Sequence, residues 1–176
     1  PVQKACQVQA PGNDPEVIKA DLDDLELWLR GSAVPAPRDA ANPVVRRGAE
    51  LFRQAACDNC HVPELKTAAQ YPAFPKLANR SLRAYTDLLV HDMGEDLADG
   101  RPDFQAGARD WRTAPLWGLG LSAIVNGRSA LLHDGRARNV TEAILWHGGE
   151  AAASRDAFSK LPMSDRDALM KFVEAI

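Results

Sequence analysis

The sequence is short of most features that would assign it quickly. Three cysteines in 176 residues are too few for a disulfide framework. No apolar run approaches about 18 residues, which excludes a membrane-spanning helix. Neither sign of charge dominates: 21 basic residues face 24 acidic ones, for a net charge of −3. With no basic stripe to neutralise phosphates, nucleic acid is excluded as a partner. Strand patterning is weak, and there is no internal repeat or low-complexity tract. No initiator methionine or signal peptide precedes Pro1; the chain reads as a processed or excised piece, which leaves its compartment open. What remains is an ordinary hydrophobic fraction of 45% and enough length for one domain with a small extension.

The helical signals are clear at both ends. Asp14-Pro15 pairs a capping residue with a proline suited to the first helical position. Ile18, Leu22, Leu25 and Leu29 then recur at helical spacing before Gly31, so the spacing predicts a helix from about 15 to 30. The stretch GSAVPAPRDAANP carries three prolines and reads as a linker. The expected organisation is an N-terminal helix and Pro-rich linker over 1–42 and a folded body over 43–176. Asn42-Pro43 is a second cap-plus-proline start, and Val44, Gly48, Leu51, Phe52 and Ala55 continue a helical stripe. Gly48 weakens a helix interior, so it predicts a close approach by another helix. Residues 62–80 are proline-punctuated and irregular, and 81–91 is ambiguous between helix and strand. Residues 94–139 are glycine-rich, which predicts long ordered loops that need something to organise them. Thr141 is placed to cap a helix ended by Gly148 and Gly149, a further helix falls within 150–160, and Ser164 is placed to cap the last one. The fold class is mainly α.

Cys57-Asp58-Asn59-Cys60-His61 follows the second helix at once. This spacing fits c-type haem attachment: two thioethers meet one edge of the porphyrin, and the adjacent histidine puts a ring nitrogen on iron. Structural zinc requires four ligands, and no second pair follows. A thioredoxin-like redox pair requires a strand before it and a helix after, the reverse of the order here. Cys6 is left over, either a small buried hydrophobe or half of a disulfide completed outside this chain. Thioether attachment takes place outside the bacterial cytoplasm, so a periplasmic or otherwise extracytoplasmic setting is expected.

The sixth iron ligand decides between electron transfer and chemistry at an open position. The candidates are His91, Met93, His133, His147 and Met163. Met93 sits beside Gly94 in a turn-prone segment, although core packing is the commoner fate of a methionine. His147 precedes two glycines at a helix end. His91 and His133 each precede an aspartate, a pattern of turns and hydrogen bonds more than of iron ligation.

The segments RRGAELFRQAACDNCH, YTDLLVHDMGEDLADGRPDF, WRTAPLWGLG and LLHDGRARNVTEAILWHGGEA together resemble the C-terminal haem domain of bacterial di-haem oxidoreductases. That family is often labelled thiol oxidoreductase and is distantly similar to di-haem cytochrome c peroxidases and to the di-haem enzyme that matures tryptophan tryptophylquinone. The resemblance implies a cytochrome c-like fold with two α-helical haem domains, one peroxidatic and one relaying electrons. This chain departs from it in carrying one Cys-x-x-Cys-His. Alignment on the family's distal-ligand segment places His147 at the ligand position, with Met93 as the alternative. It also implies that Arg112, Arg136 and Arg138 lie in pocket-lining segments, where an arginine fork suits haem carboxylates. Trp111, Trp117 and Trp146 would cover the porphyrin face or fill the core.

The expectation is therefore a cytochrome c-like domain with one covalent haem c. It would be held by Cys57, Cys60 and His61, closed by His147 or Met93, and contacted by Arg112, Trp117 and Arg136. Its job would be to pass electrons to a redox partner or to an N-terminal haem domain of the same enzyme. The rivals are peroxide reduction at an open iron, and a haem-stabilised partner or sensor domain without catalysis.

Overall fold

The structure is a computed structural model that describes residues 8–10, 12, 13 and 15–176; Cys6 and Asp14 lie outside them. The chain divides into two compact units, Pro1–Ala33 and Val34–Ile176.

In the first unit, helix α1 (Lys19–Gly31) carries the predicted stripe. It begins later than the sequence suggests. Ile18 occupies the cap position and offers no side-chain acceptor, and residues 15–17 form bends. None of its residues is buried; Leu22, Leu25, Trp28 and Leu29 are all exposed.

In the second unit, α2 (Pro43–Gln54) starts as its sequence predicts. The Asn42 side chain accepts from the Val44 N–H at 2.9 Å, and Pro43 supplies the preset φ of the first turn. Its buried face, Val45, Gly48, Leu51 and Phe52, lies against the C-terminal helix. That helix is labelled α6 below, after α3 (Ser122–Asn126), α4 (Val140–Leu145) and α5 (Ala152–Ser159). Helix α6 (Met163–Ala175) contributes Ala168, Leu169, Phe172 and Val173 to the core. Gly48 is the point of closest approach. A Cβ there would stand 2.0 Å from the Ala168 carbonyl oxygen and 2.6 Å from the Phe172 Cβ. The open carbonyls at the end of α6 are answered from elsewhere in the body. The Arg38 N–H donates to Ala175, and the Gly118 N–H donates to Ile176.

Between α2 and α4 the chain makes little regular structure. Strands β1 (Leu65–Lys66) and β2 (Ser81–Leu82) pair antiparallel, as do β3 (Val90–Asp92) and β4 (Asp110–Arg112), where His91 faces Trp111. The ambiguous 81–91 stretch thus becomes two strand fragments joined by an irregular turn. Thr86 locks that turn. It is fully buried, its Oγ1 donates to the Thr113 carbonyl at 2.7 Å, and the Leu88 N–H donates to the same oxygen at 2.9 Å.

Two cap expectations need correction. The cap of α4 is Asn139, which accepts from the Glu142 N–H at 2.8 Å; Thr141 lies inside the helix, its hydroxyl against the Met170 sulfur. An extended backbone at Asn139, φ −158°, aims its short side chain at the open N–H groups. Helix α6 begins at Met163, so Ser164 is in its first turn and Pro162 holds the cap position without a side-chain bond.

Gly48→Ala would gain about 1 kcal/mol of helix propensity. The clash with the Ala168 carbonyl outweighs it, since overpacking costs about 1–3 kcal/mol or more. The expected outcome is a net loss of stability, read as a drop of several degrees in melting temperature. Thr86→Val leaves a buried N–H and a buried carbonyl unpaired. It is expected to cost about 1–3 kcal/mol, measured by denaturant titration.

Candidate functional site

Helix α2 ends on an abrupt turn. Ala56 adopts a left-handed conformation, φ 56°, and redirects the chain into a single 3₁₀ turn over Cys57–Asn59. The His61 N–H donates to the Cys57 carbonyl at 3.0 Å, so the turn closes on the motif's own backbone. Cys57 and Cys60 are free and half-buried. Burial, with Asp58 nearby, pushes the Cys57 thiol up to about 11. Burial, then Asp87 and Glu150, also raises the Cys60 thiol. Both thiols stay protonated at neutral pH, the opposite of what thiol–disulfide chemistry at a reactive thiolate requires.

These residues form one wall of a cavity of about 340 Å³, within the range of small-molecule and cofactor sites. Phe52 and the Cys-x-x-Cys-His turn face Val140, Ala143, Ile144 and His147 of α4 and its C-terminal end. Strands β3 and β4 supply His91, Trp111 and Arg112, Met93 follows the end of β3, and Leu169 and Val173 of α6 close the floor. The lining is predominantly apolar, with Leu97, Leu116, Leu119 and Leu131 added from loops.

Across this cavity the His61 and His147 rings stand 6.5 Å apart, centroid to centroid, tilted by 43°. Each is held by the same nitrogen. His61 Nδ1–H donates to the Tyr85 carbonyl at 2.9 Å, and His147 Nδ1–H donates to the Ala143 carbonyl at 2.7 Å. In both, Nε2 then carries the lone pair, the arrangement of a metal-ready imidazole. Burial holds both below the usual histidine range, so both are neutral near pH 7. Tyr85 is left-handed, φ 52°, as is the cavity-lining Leu132, φ 66°. Backbone conformations this costly to non-glycine residues collect where a site demands them.

His91 lies at the cavity edge, between two carboxylates. Its Nδ1–H donates to Glu150 Oε2 and its Nε2–H to Asp87 Oδ2, each at 2.9 Å. The bond to Glu150, then that to Asp87, raises its pKa, and His91 in turn lowers that of Glu150. Burial pushes the Asp87 carboxyl up, but hydrogen bonds from His91 and the Leu89 N–H outweigh it and hold it low. Cys60 Sγ, Asp87 and His91 lie within 4.8 Å of one another. With both imidazole nitrogens donating, however, His91 has no lone pair to offer a metal.

The other residues singled out from sequence divide. Met93, Arg112 and Trp111 line the cavity. The Trp111 indole donates to the Leu97 carbonyl at 2.8 Å and stacks on His133 at 4.5 Å. Partial burial, and then Arg112, lowers the His133 pKa. Arg136 lies outside the main cavity, lining a small adjoining one. It donates to Asp134 and to the Asp96 carbonyl, and its guanidinium lies over the Trp146 ring at 4.8 Å. Arg138 pairs with Glu142 on the surface. Trp117 does not line the cavity, and Met163 is exposed at the start of α6. Sequence reasoning passed over Glu150, Ser154 and Arg155, which do line it. The i, i+4 spacing of Glu150 and Ser154, just after His147, was the one available signal.

Among the described residues no helix is long and apolar enough to cross a membrane. No curated protein matches the chain. A solved structure of hydrazine synthase from Kuenenia stuttgartiensis is similar in fold, with a TM-score of 0.55 at 16% identity. The match covers 90% of this chain but 56% of that one, so this chain spans little more than half of its neighbour. The family described as "Di-haem oxidoreductase, putative peroxidase" matches residues 6–176. With its Cys-x-x-Cys-His wall facing a half-buried histidine across an apolar cavity, the chain belongs to the di-haem oxidoreductase family.

Proposed function

We propose that this chain is a c-type cytochrome domain that passes electrons through one covalently attached haem, as part of a larger di-haem oxidoreductase. The observation that carries the proposal is the pairing of His61 with His147. His61 and His147 would hold an iron through their Nε2 atoms; their ring centroids stand 6.5 Å apart, a separation that leaves room for one metal ion between them. The apolar lining suits a porphyrin, and Cys57 and Cys60 stand on the same wall as His61.

When bound, the haem supplies a one-electron couple. The protein's part is to hold and tune it. His61 and His147 stay neutral through burial and keep their ring planes fixed through the Tyr85 and Ala143 carbonyls. Two imidazoles stabilise the ferric state more than an imidazole and a thioether do, which places the potential below that of a His/Met site. Arg112 at the cavity wall is available to a haem carboxylate. Met93, on the same wall, is the alternative ligand to His147.

The family description names two haems, whereas this sequence has one Cys-x-x-Cys-His. The electron partner is therefore a second haem domain of the same enzyme or a separate redox protein. Thioether attachment takes place outside the bacterial cytoplasm, which supports a periplasmic or otherwise extracytoplasmic setting. The family description also favours a second reading, peroxide reduction at an iron left five-coordinate.

Protein produced with a cytochrome c maturation system is expected to carry one haem per chain by pyridine haemochrome and intact mass. Cys57→Ala/Cys60→Ala is expected to carry none covalently. The ferric spectrum is expected to be low-spin, to become high-spin in His147→Ala, and to remain low-spin in Met93→Ala. A high-spin wild type that reacts rapidly with peroxide supports the second reading; an apo mass under these conditions defeats both.

A further inference from the structure

The segment after His147 is fastened to the far wall by a single exposed residue. Glu150 Oε1 accepts from the Asp92 N–H at 3.0 Å, and its Oε2 accepts from His91 Nδ1–H at 2.9 Å. His91 passes the connection on to Asp87 at 2.9 Å, and Asp87 also accepts from the Leu89 N–H at 2.9 Å. Asp87 and His91 stand within 4.8 Å of Cys60 Sγ, next in sequence to His61. A continuous hydrogen-bonded strap therefore runs along the cavity edge, from the segment bearing His147 toward the turn bearing His61.

The backbone beneath the strap leaves no slack. A Cβ at Gly148 would stand 2.7 Å from the Met93 carbonyl oxygen, and one at Gly149 would stand 2.1 Å from that of Asp92. The two glycines lie directly on the end of β3, and Glu150 follows at once. Glu150 itself is solvent-facing, with its side chain 56% exposed. Its hydrogen bonds are thus not a requirement of the core, which closes without it. Besides this backbone packing, the backbone hydrogen bonds of the loop that leads out of His147 are local: the Ala151 N–H donates to Gly148 within it, and the His147 N–H donates to Ile144 behind it.

We propose that Glu150 is a positioning residue for His147. By strapping the segment after α4 to β3 through Asp92 and His91, it holds the His147 imidazole at the spacing from His61 that a shared iron requires. This inference rests on the reading of His61 and His147 as the axial pair.

The test uses the haem-loaded full chain and free imidazole as a competitor for the position held by His147. Glu150→Ala removes one hydrogen bond to a backbone N–H and one charged bond to His91. It is expected to raise the apparent affinity for imidazole about tenfold. His91→Ala breaks the strap at its middle and is expected to do the same. Glu150→Gln keeps an acceptor for the Asp92 N–H and a partner for His91, and is expected to stay near wild type. The inference is overturned if Glu150→Ala and His91→Ala lower the melting temperature but leave imidazole affinity unchanged, the mark of a merely structural strap. It is also overturned if Glu150→Ala fails to fold while His91→Ala folds with wild-type imidazole affinity. A His147→Ala protein with an unchanged spectrum sinks the axial-pair reading instead, and is told apart from these outcomes by that spectrum alone.

Discussion

Two half-buried imidazoles face each other across an apolar cavity, and the elements around them hold them there. Neither ring belongs to a long helix. His61 hangs from a 3₁₀ turn closed on Cys57, and His147 lies just past the C-cap of a six-residue helix, its N–H bonded back to Ile144. Each is made rigid by one hydrogen bond from Nδ1–H to a backbone carbonyl, and each is kept neutral by burial. The spacing between them is then set by how the two segments are fastened to the frame. On one side stands the contact of α2 with α6, tight enough at Gly48 to exclude a methyl group. On the other, glycines 148 and 149 lie flat on the end of β3.

Much of this frame was legible in the sequence because its causes are local. Asn42-Pro43 specifies a helix start through one side chain and one fixed φ, and Gly48 announced a close approach that the structure places against Ala168. The Cys-x-x-Cys-His turn needs five residues and no distant partner. The misread caps at Thr141 and Ser164 fail for a shared reason. A hydroxyl caps a helix only where its own residue takes the extended backbone just before the first turn, and here Asn139 and Pro162 hold those positions. What the sequence hid is the long-range geometry. Glu150 meets His91 across 59 positions, and the role of Tyr85 as the carbonyl partner of His61 depends on a left-handed backbone that no propensity favours. The arginines show the limit of inference from position. Arg112 reaches the cavity, while Arg136 and Arg138 are taken up by nearer carboxylates.

The cysteines separate chemistries that a motif alone leaves open. A thiol–disulfide centre requires an accessible thiolate, and its surroundings lower the thiol pKa. Here burial raises both thiols, Cys57 to about 11, and the nearest charges, Asp58, Asp87 and Glu150, are negative. A zinc site would need His91 to give up a hydrogen bond to a carboxylate before its ring could ligate. Thioether formation has neither difficulty, since the finished bond carries no ionisable proton and is at home against apolar walls. The same environment that makes these cysteines poor redox thiolates is compatible with the thioether anchors proposed for them.

Cavity size explains why an anchor should be covalent. An apolar space of about 340 Å³, at about 24 cal/mol per Å³, corresponds to about 8 kcal/mol if sealed and unfilled. The total stability of a domain is about 5–15 kcal/mol. The cavity opens to solvent, so that figure is a ceiling. Even a fraction of it matters to walls built from loops, three-residue strands and non-glycine residues held at positive φ. A group held only by affinity would stabilise these walls in proportion to its free concentration. On the proposed reading, two bonds to sulfur would remove that dependence, and the short elements that carry His61 and His147 would then share one rigid centre whatever the supply of cofactor outside.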